Sequence, residues 1–414
     1  MKKKIFVKGP VLSQSGYGEQ SRFALRALRS REDLFDIFIQ PIPWGQTGWI
    51  WKDEEFRQWM DEKITLTQIL AHKKQLQVDI SLQITIPNEF QKIAPVNIGY
   101  TAGIETTKVD PVWLQKGNEE VDKILVVSNH AKQSYENTIV EATNRQTGEK
   151  VPYKLNTPVE VVWEKTVRAS PQETPGLNLS TDFNFLIVSQ MGPRKNFYNA
   201  ITWWVEEFID QEVGLIVKTN IKNNSRMDLN ATRQNIENIL SKYKDRKCKV
   251  YLLHGDLSEG QMTGLYNNPK IKAMINIAHG EGFGLPLFEA AREGLPIITI
   301  AWGGQQDFLI HDKKEYFHSV EFSVEPIQRE AVWPGVLNEN SKWAYADQGS
   351  YKMNLRKLYK NWDDAKETSS KLKNIIDEKF SDEFLYSNFI KCIDEFENPD
   401  AWLNDFEDII KEYE

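Results

Sequence analysis

The sequence predicts an α/β protein of two Rossmann-like domains that face each other across a cleft. Three observations carry this reading. Apolar, strand-like runs alternate with helix-like segments in both halves, the pattern of parallel sheets covered by helices on both faces. The alternation breaks between about Arg168 and Thr181, where proline, glycine, serine and threonine occur without period and read as a linker. The chain has 414 residues, too many for one ordinary core; two units of roughly 150–200 residues fit better. The expected division is residues 1–170 and 181–384, with a terminal stretch at about 385–414.

The elements follow in order. Ile5-Phe6-Val7 is a first strand, leading into the loop Ser13–Gly18 and a helix from about Glu19 to Arg29. Further strands are expected at Phe35–Gln40, Val78–Ile84, Val96–Tyr100 and Lys123–Ser128, the last followed by a helix from Ala131. After the linker the second set has strands at Phe183–Ser189, Val213–Val217, Lys249–Leu253, Ala273–Ala278 and Leu295–Ile300, with a helix at Tyr198–Ile209. From about Met353 the chain is rich in helix formers with apolar residues at helical spacing. A hinge between two such domains places a ligand in the cleft.

Composition narrows the classes. With 40% hydrophobic and 27% charged residues the chain reads as a soluble globular protein. No apolar run approaches the ~20 residues that span a bilayer, and the basic start Met1–Lys4 precedes an apolar run too short for a signal peptide. Cys248 and Cys392 lie in no metal-like or redox spacing, which points to the cytoplasm. The net charge of −8 weighs against broad adhesion to nucleic acid or anionic membrane. No His-x-His, no suitable Asp-x-Asp and no cysteine cluster occurs, so no metal site is expected.

The most informative segment is Ala278-His279-Gly280-Glu281-Gly282-Phe283-Gly284-Leu285-Pro286-Leu287-Phe288-Glu289-Ala290. An apolar strand ends in a glycine-rich turn and a helix follows, an arrangement whose first amides suit negatively charged oxygen. Glu281 in the turn and Glu289 on the helix stand eight residues apart. An ionised carboxylate accepts several hydrogen bonds from vicinal hydroxyls. Phosphate in the middle with polyols on both flanks describes a nucleotide sugar. Taken singly these are ordinary loop and helix residues, but Glu289 sits in the apolar context Leu287-Phe288-Glu289-Ala290-Ala291, where an unpaired carboxylate is costly. The next strand-like run, Leu295–Ile300, also ends near two glycines, Gly303 and Gly304. Two glycine turns at the carboxyl ends of neighbouring strands mark the usual ligand crevice of an open α/β sheet.

From Ala278 to Gly304 the chain resembles the glutamate–seven residues–glutamate signature of retaining glycosyltransferases of the GT-B fold, in particular glycosyltransferase family 4. The resemblance implies a terminal helix crossing back to the first domain, a nucleoside diphosphate sugar as donor, and transfer to a hydroxyl acceptor on a glycan, lipid or small molecule. It implies that Glu289 binds the ribose hydroxyls and Glu281 the transferred sugar, with the amides of Gly282, Phe283, Gly284 and Leu285 at the diphosphate. No cofactor or metal is expected beside the donor. A nucleic-acid acceptor, as in viral enzymes that modify DNA bases, is a less favoured alternative. So are a sugar-nucleotide epimerase and a nucleotide-sugar-binding protein without turnover.

Four other segments bear on the site. In Ser189–Asn196 a basic pair opens a helix; by resemblance Lys195 matches the family's diphosphate lysine. Gln190 stands where the family has arginine, and Arg194 is a candidate substitute. Gly16 and Gly18 open a helix after the first strand; they either line the cleft, as in the family, or form an ordinary tight turn. Glu105 lies in the loop Tyr100–Thr106, where many relatives place a histidine. It is a candidate catalytic residue and equally a loop cap. Lys218 ends a second-domain strand and is a candidate to add charge to the donor pocket; Asp256 and Leu257 follow another strand at the place where, by resemblance, relatives hold the base. His130 and His254 read as structural, and Trp44, Trp49 and Trp51 as core or as an acceptor platform.

Overall fold

The computed structural model describes residues 2–50, 52, 54–143 and 148–395. In the first half the strands are β1 (Lys3–Gly9), β2 (Phe35–Pro41), β3 (Ile80–Ile84), β4 (Val96–Thr101) and β5 (Lys123–Val126). A hairpin of β6 (Val140–Thr143) and β7 (Lys150–Tyr153) follows, then β8 (Val159–Val161). Six of them form one sheet in the order β2-β1-β3-β4-β5-β8, every pair parallel. Strands β3, β4 and β5 are buried throughout, as expected of parallel strands covered on both faces. Buried polar residues within them are partnered: Ser81 Oγ donates to Asn97 Oδ1 at 2.8 Å and Gln83 Nε2 to the Gln91 carbonyl at 2.7 Å.

The covering helices are α1 (Gly16–Arg29), α2 (Glu55–His72), α3 (Pro111–Glu120) and α4 (Asn129–Glu136). α1 starts three residues earlier than its apolar pattern suggests, because the Ser15 side chain caps the Gly18 amide. α3 opens on Asp110-Pro111, a capping carboxylate followed by proline in the first turn.

The second half repeats the plan. Its strands are β9 (Asn184–Val188), β10 (Gly214–Lys218), β11 (Lys249–Leu253), β12 (Ile271–Asn276) and β13 (Ile297–Ile300). They are followed by a short hairpin of β14 (Ile310–His311) and β15 (Lys314–Glu315), by β16 (His318–Val320), and by an antiparallel pair, β17 (Phe322–Pro326) and β18 (Lys342–Ala346). The parallel sheet has the order β11-β10-β9-β12-β13-β16. Strand order reverses between β9 and β12, so the loops leaving these two strands diverge and open a crevice at their carboxyl ends. In the first sheet the reversal falls between β1 and β3.

The remaining helices are α5 (Phe197–Glu207), α6 (Arg226–Leu240), α7 (Glu259–Tyr266), α8 (Leu285–Arg292), α9 (Gln306–Leu309), α10 (Gln348–Lys360), α11 (Trp362–Lys379) and α12 (Asp382–Asp394). α12 crosses back to the first domain. The Phe389 ring meets Phe23 of α1 at 6.0 Å and Tyr100 of β4 at 5.7 Å. At the end of α11, Phe380 packs on Phe288 of α8 and on Trp163 of the first domain, at 5.3 and 4.9 Å. The helix that carries the glutamate signature is thereby fixed to both domains. Residues 396–414, part of the expected terminal segment, lie outside the described residues.

The segment read as a linker contains no helix or strand, yet it is strapped down. The Gln172 amide donates to the Gly260 carbonyl at 2.8 Å, and a Cβ on Gly264 would fall 1.8 Å from the Gln172 carbonyl oxygen. Two glycines one turn apart on α7 leave the groove that the backbone at Gln172 occupies.

Candidate active site

At the crevice of the second sheet, residues of the loops after β9 and β12 reach across to one another and face the first domain. Arg194 and Lys195 come from the first loop, Glu281 from the second. Lys195 Nζ donates to Glu281 Oε1 at 2.5 Å, Asn276 Nδ2 to the same oxygen at 2.9 Å, and Arg194 donates to Oε2 at 3.1 Å. Glu281 is 5% exposed. Burial pushes its carboxyl up, but the two cations outweigh burial and hold it at about 2. Arg194 also pairs with Glu105 of the first domain at 3.3 Å and donates to the Gly280 carbonyl at 2.7 Å. Burial depresses the Lys195 ammonium, as does Arg194 beside it. The result is a four-charge cluster, two positive and two negative, that bridges the cleft.

These four residues line a cavity of about 460 Å³ together with Gly282, Phe283, Gly284, Leu285 and Gly16. The Phe283 ring is buried against Phe288 and Phe308 at 5.5 and 5.1 Å. Gly284 has φ +94° and caps α8, a left-handed position that glycine accepts without strain. Gln190 also lines the cavity, its amide donating to the Ile221 carbonyl at 2.8 Å.

Several expectations take a different form in the structure. The close approach at Gly282 is made by protein: a Cβ there would meet the Ala102 carbonyl oxygen of the first domain at 2.3 Å. At Gly280 it would meet the Glu105 carbonyl oxygen at 2.3 Å. Gly18 does not line the cavity; its missing Cβ leaves room for the Ser13 carbonyl oxygen, 1.9 Å from where a Cβ would stand. Glu289 is not among the cavity-lining residues either. Its Oε2 accepts from the Tyr266 hydroxyl at 2.8 Å, and burial raises its carboxyl.

Lys218, Asp256 and Leu257 line a second cavity of about 600 Å³ between α1, α2 and α7, which shares Gln14 and Ser15 with the first. Lys218 Nζ donates to the Gly255 carbonyl at 2.6 Å. His254 is structural: its Nε2 pairs with Asp228 Oδ1 at 2.9 Å. His130 sits in the first turn of α4 against the Trp302 ring, and burial lowers it to about 4. Trp49 is exposed and Trp51 lies outside the described residues. Trp44 lines the cavity and packs, tilted by 36°, on Tyr17 at 4.3 Å between ring centroids; the Tyr17 hydroxyl shares a 2.8 Å hydrogen bond with Thr101.

Sequence reasoning missed Glu164. It follows β8 in the plain context Val161-Val162-Trp163-Glu164 and reaches the cavity through the tertiary fold. It is 4% exposed, and its buried Oε2 has no hydrogen-bond partner. Burial, with Glu19 nearby, pushes its carboxyl up to about 8.

No family model and no curated protein sequence matches the chain. Solved structures do. A sucrose-phosphate synthase from Thermosynechococcus elongatus is similar over 95% of this chain and 99% of its own, with 13% identity and a TM-score of 0.60. The fold is GT-B. The catalytic domain of starch synthase IV from Arabidopsis thaliana, bound to ADP and acarbose, has the same GT-B arrangement over 94% of this chain and 99% of its own, at 11% identity and a TM-score of 0.56. A glycosyltransferase from Rickettsia africae covers 94% of this chain and 97% of its own, at 13% identity and a TM-score of 0.55. No helix among the described residues is long and apolar enough to cross a membrane.

Proposed function

We propose that the protein is a retaining, metal-independent glycosyltransferase of the cytoplasm that moves a sugar from a nucleoside diphosphate sugar to a hydroxyl acceptor. The observation that carries this reading is the convergence of Lys195 and Arg194 on Glu281, at the reversal point of the second sheet and opposite the first domain. The similarity of the fold to a sucrose-phosphate synthase and to an ADP-bound starch synthase supports it.

The chemistry follows from charge. When the bond from the anomeric carbon to the diphosphate breaks, negative charge grows on the leaving phosphate. Lys195, Arg194 and the backbone amides of Phe283, Gly284 and Leu285 stand where that charge is to be met. Groups fixed in advance lower the barrier without reorganising, and loss of one such contact typically costs about 10²–10³ in rate. Lys195 must exchange its bond to Glu281 for one to phosphate, which frees Glu281 to accept from sugar hydroxyls. Retention requires the acceptor to arrive on the face the diphosphate leaves, and the departing phosphate takes the acceptor's proton. By family resemblance Glu289 is assigned to the ribose hydroxyls, which requires it to turn from Tyr266 toward the donor; Lys218 adds charge to the donor pocket, and Asp256 and Leu257 take the base end.

Calorimetry with a panel of nucleoside diphosphates, repeated in EDTA, tests the reading. The wild type binds one base preferentially with or without chelator, and Lys195→Met weakens that binding by roughly 10–100-fold, the loss of one charge-assisted contact or two. Undiminished binding in Lys195→Met contradicts the assignment. The anomeric configuration of the product by NMR decides retention.

A further inference from the structure

Across the cavity from Lys195 and Glu281, the first domain presents Tyr17, Trp44 and Glu164. Glu164 stands apart from the other carboxylates here. Glu281 is saturated by Lys195, Arg194 and Asn276. Glu105 pairs with Arg194, and Glu19 pairs with Arg22 at 2.5 Å. Glu164 lines the cavity, and its Oε2 is buried with no partner. Buried polar groups are nearly always hydrogen-bonded, so an orphan at the edge of a ligand cavity marks a contact that the ligand supplies.

The surroundings define the ligand's chemistry. Among the described residues, the ionisable groups that interact with Glu164 are Glu19 and Tyr17 of α1 and Tyr100 of β4, and none of these is a cation. The carboxyl is therefore held in its protonated form, pushed up to about 8 by burial and by Glu19. A protonated carboxyl offers one O–H donor and one carbonyl acceptor side by side. Two neighbouring hydroxyls match that pair; a lone alcohol matches half of it, and an ammonium group matches the ionised form. The Trp44 and Tyr17 rings, packed on one another at a tilt and both lining the cavity, offer an apolar surface for the C–H face of a sugar.

We propose that Glu164 is the acceptor-side catalytic residue, binding two adjacent hydroxyls of a carbohydrate acceptor and holding one of them toward the donor's anomeric carbon. The inference rests on the donor-side reading above. In the transfer step the bond from the anomeric carbon to the diphosphate oxygen breaks and the bond from that carbon to the acceptor oxygen forms. The acceptor's proton leaves on the diphosphate. Glu164 begins and ends the cycle with its own proton.

The test uses the full chain with UDP-glucose and ADP-glucose as donors and methyl α-D-glucopyranoside with its monodeoxy analogues as acceptors, reading acceptor-dependent nucleotide release. Glu164→Ala lowers kcat/KM for the acceptor by about 100-fold while the calorimetric Kd for UDP or ADP moves less than about threefold. A hundredfold change corresponds to loss of a pair of buried hydrogen bonds. Glu164→Gln, which keeps a donor and an acceptor, retains most of the activity. Removing one bound hydroxyl from the acceptor slows the wild type but not Glu164→Ala. Unfolding of Glu164→Ala is detected by melting temperature, and Glu164→Gln then carries the test through its own pH profile. Wild-type kcat/KM falls as pH rises past about 8, and this limb is absent in Glu164→Gln. Equal losses of nucleotide affinity and acceptor turnover, an unchanged Glu164→Ala, or a nucleotide-binding wild type that uses no methyl glucoside overturns the inference and leaves the donor reading standing. A wild type that binds no nucleoside diphosphate removes both.

Discussion

Replacing Glu281 with glutamine makes a prediction that runs against intuition: the protein binds diphosphate more tightly and transfers sugar more slowly. In the unliganded site the four charges of Glu105, Arg194, Lys195 and Glu281 sum to zero, so an incoming diphosphate competes with Glu281 for Lys195. The surroundings lower the Glu281 carboxyl from an ordinary 4.5 to about 2, which corresponds to roughly 3 kcal/mol in favour of the charged form. Glutamine forfeits most of that, and the unliganded variant is destabilised by an amount of that order. A diphosphate then meets a cluster carrying one net positive charge. One freed charge at about 4 Å is worth roughly 4 kcal/mol at an effective dielectric constant near 20. Water reaches Lys195, whose side chain is 17% exposed, so the net gain is about 1–2 kcal/mol, or roughly 5–30-fold in Kd.

Inorganic pyrophosphate is the cleanest probe, since it carries neither base nor sugar. Calorimetry should show Glu281→Gln binding it roughly 5–30-fold more tightly than wild type, while transfer falls by about 10²–10³ because the sugar hydroxyls lose their carboxylate. Unchanged or weaker pyrophosphate affinity would refute the claim that Glu281 and the diphosphate share Lys195. The pH dependence has a definite sign as well. Glu281 is depressed, so its contribution to stability is present above about 4.5 and is lost as pH falls toward about 2. Glu281→Gln lacks that acid limb.

Three further predictions follow from single contacts. Gly282→Ala puts a Cβ 2.3 Å from the Ala102 carbonyl oxygen, so the domains must part; small-angle scattering should show a larger radius of gyration and melting should report a loss of about 1–3 kcal/mol. Glu289→Ala should weaken a nucleoside diphosphate but leave pyrophosphate unaffected, because ribose is what it is assigned to hold; equal weakening of both probes contradicts that role. Glu164 is raised to about 8, so its stabilising contribution is full below about 4.5 and is lost as pH rises through about 8. Denaturant melts of Glu164→Gln should therefore vary less with pH between 5 and 8 than the wild type does, by up to a few kcal/mol.

The parts of the fold that the sequence made legible were those written along it. Parallel strands buried on both faces read as apolar runs, so β1 to β5 and β9 to β13 could be located to within a few residues. The Glu281 turn was legible because its residues are contiguous, and Lys195 because the strand before it sets its place. The rest depends on contacts between distant segments. Glu164 has no local signal at all; a glutamate after a short edge strand becomes exceptional only when α1 and the second domain close over it. The glycines at 280 and 282 look like ligand-approach positions, yet the backbone they admit belongs to Ala102 and Glu105 of the other domain. The stretch from 168 to 181 has a linker's composition, but the groove left by Gly260 and Gly264 holds it. Helix α2, with buried Trp59, Met60 and Ile64, went unplaced because its other positions are largely polar.

A crystal structure with the tightest-binding nucleoside diphosphate would show whether the diphosphate takes Lys195 from Glu281. The phosphates should lie within hydrogen-bond distance of Lys195 Nζ, Arg194 and the amides from Phe283 to Leu285, with Glu281 released from Lys195. Phosphates bound elsewhere, with Lys195 and Glu281 still joined, would contradict that exchange.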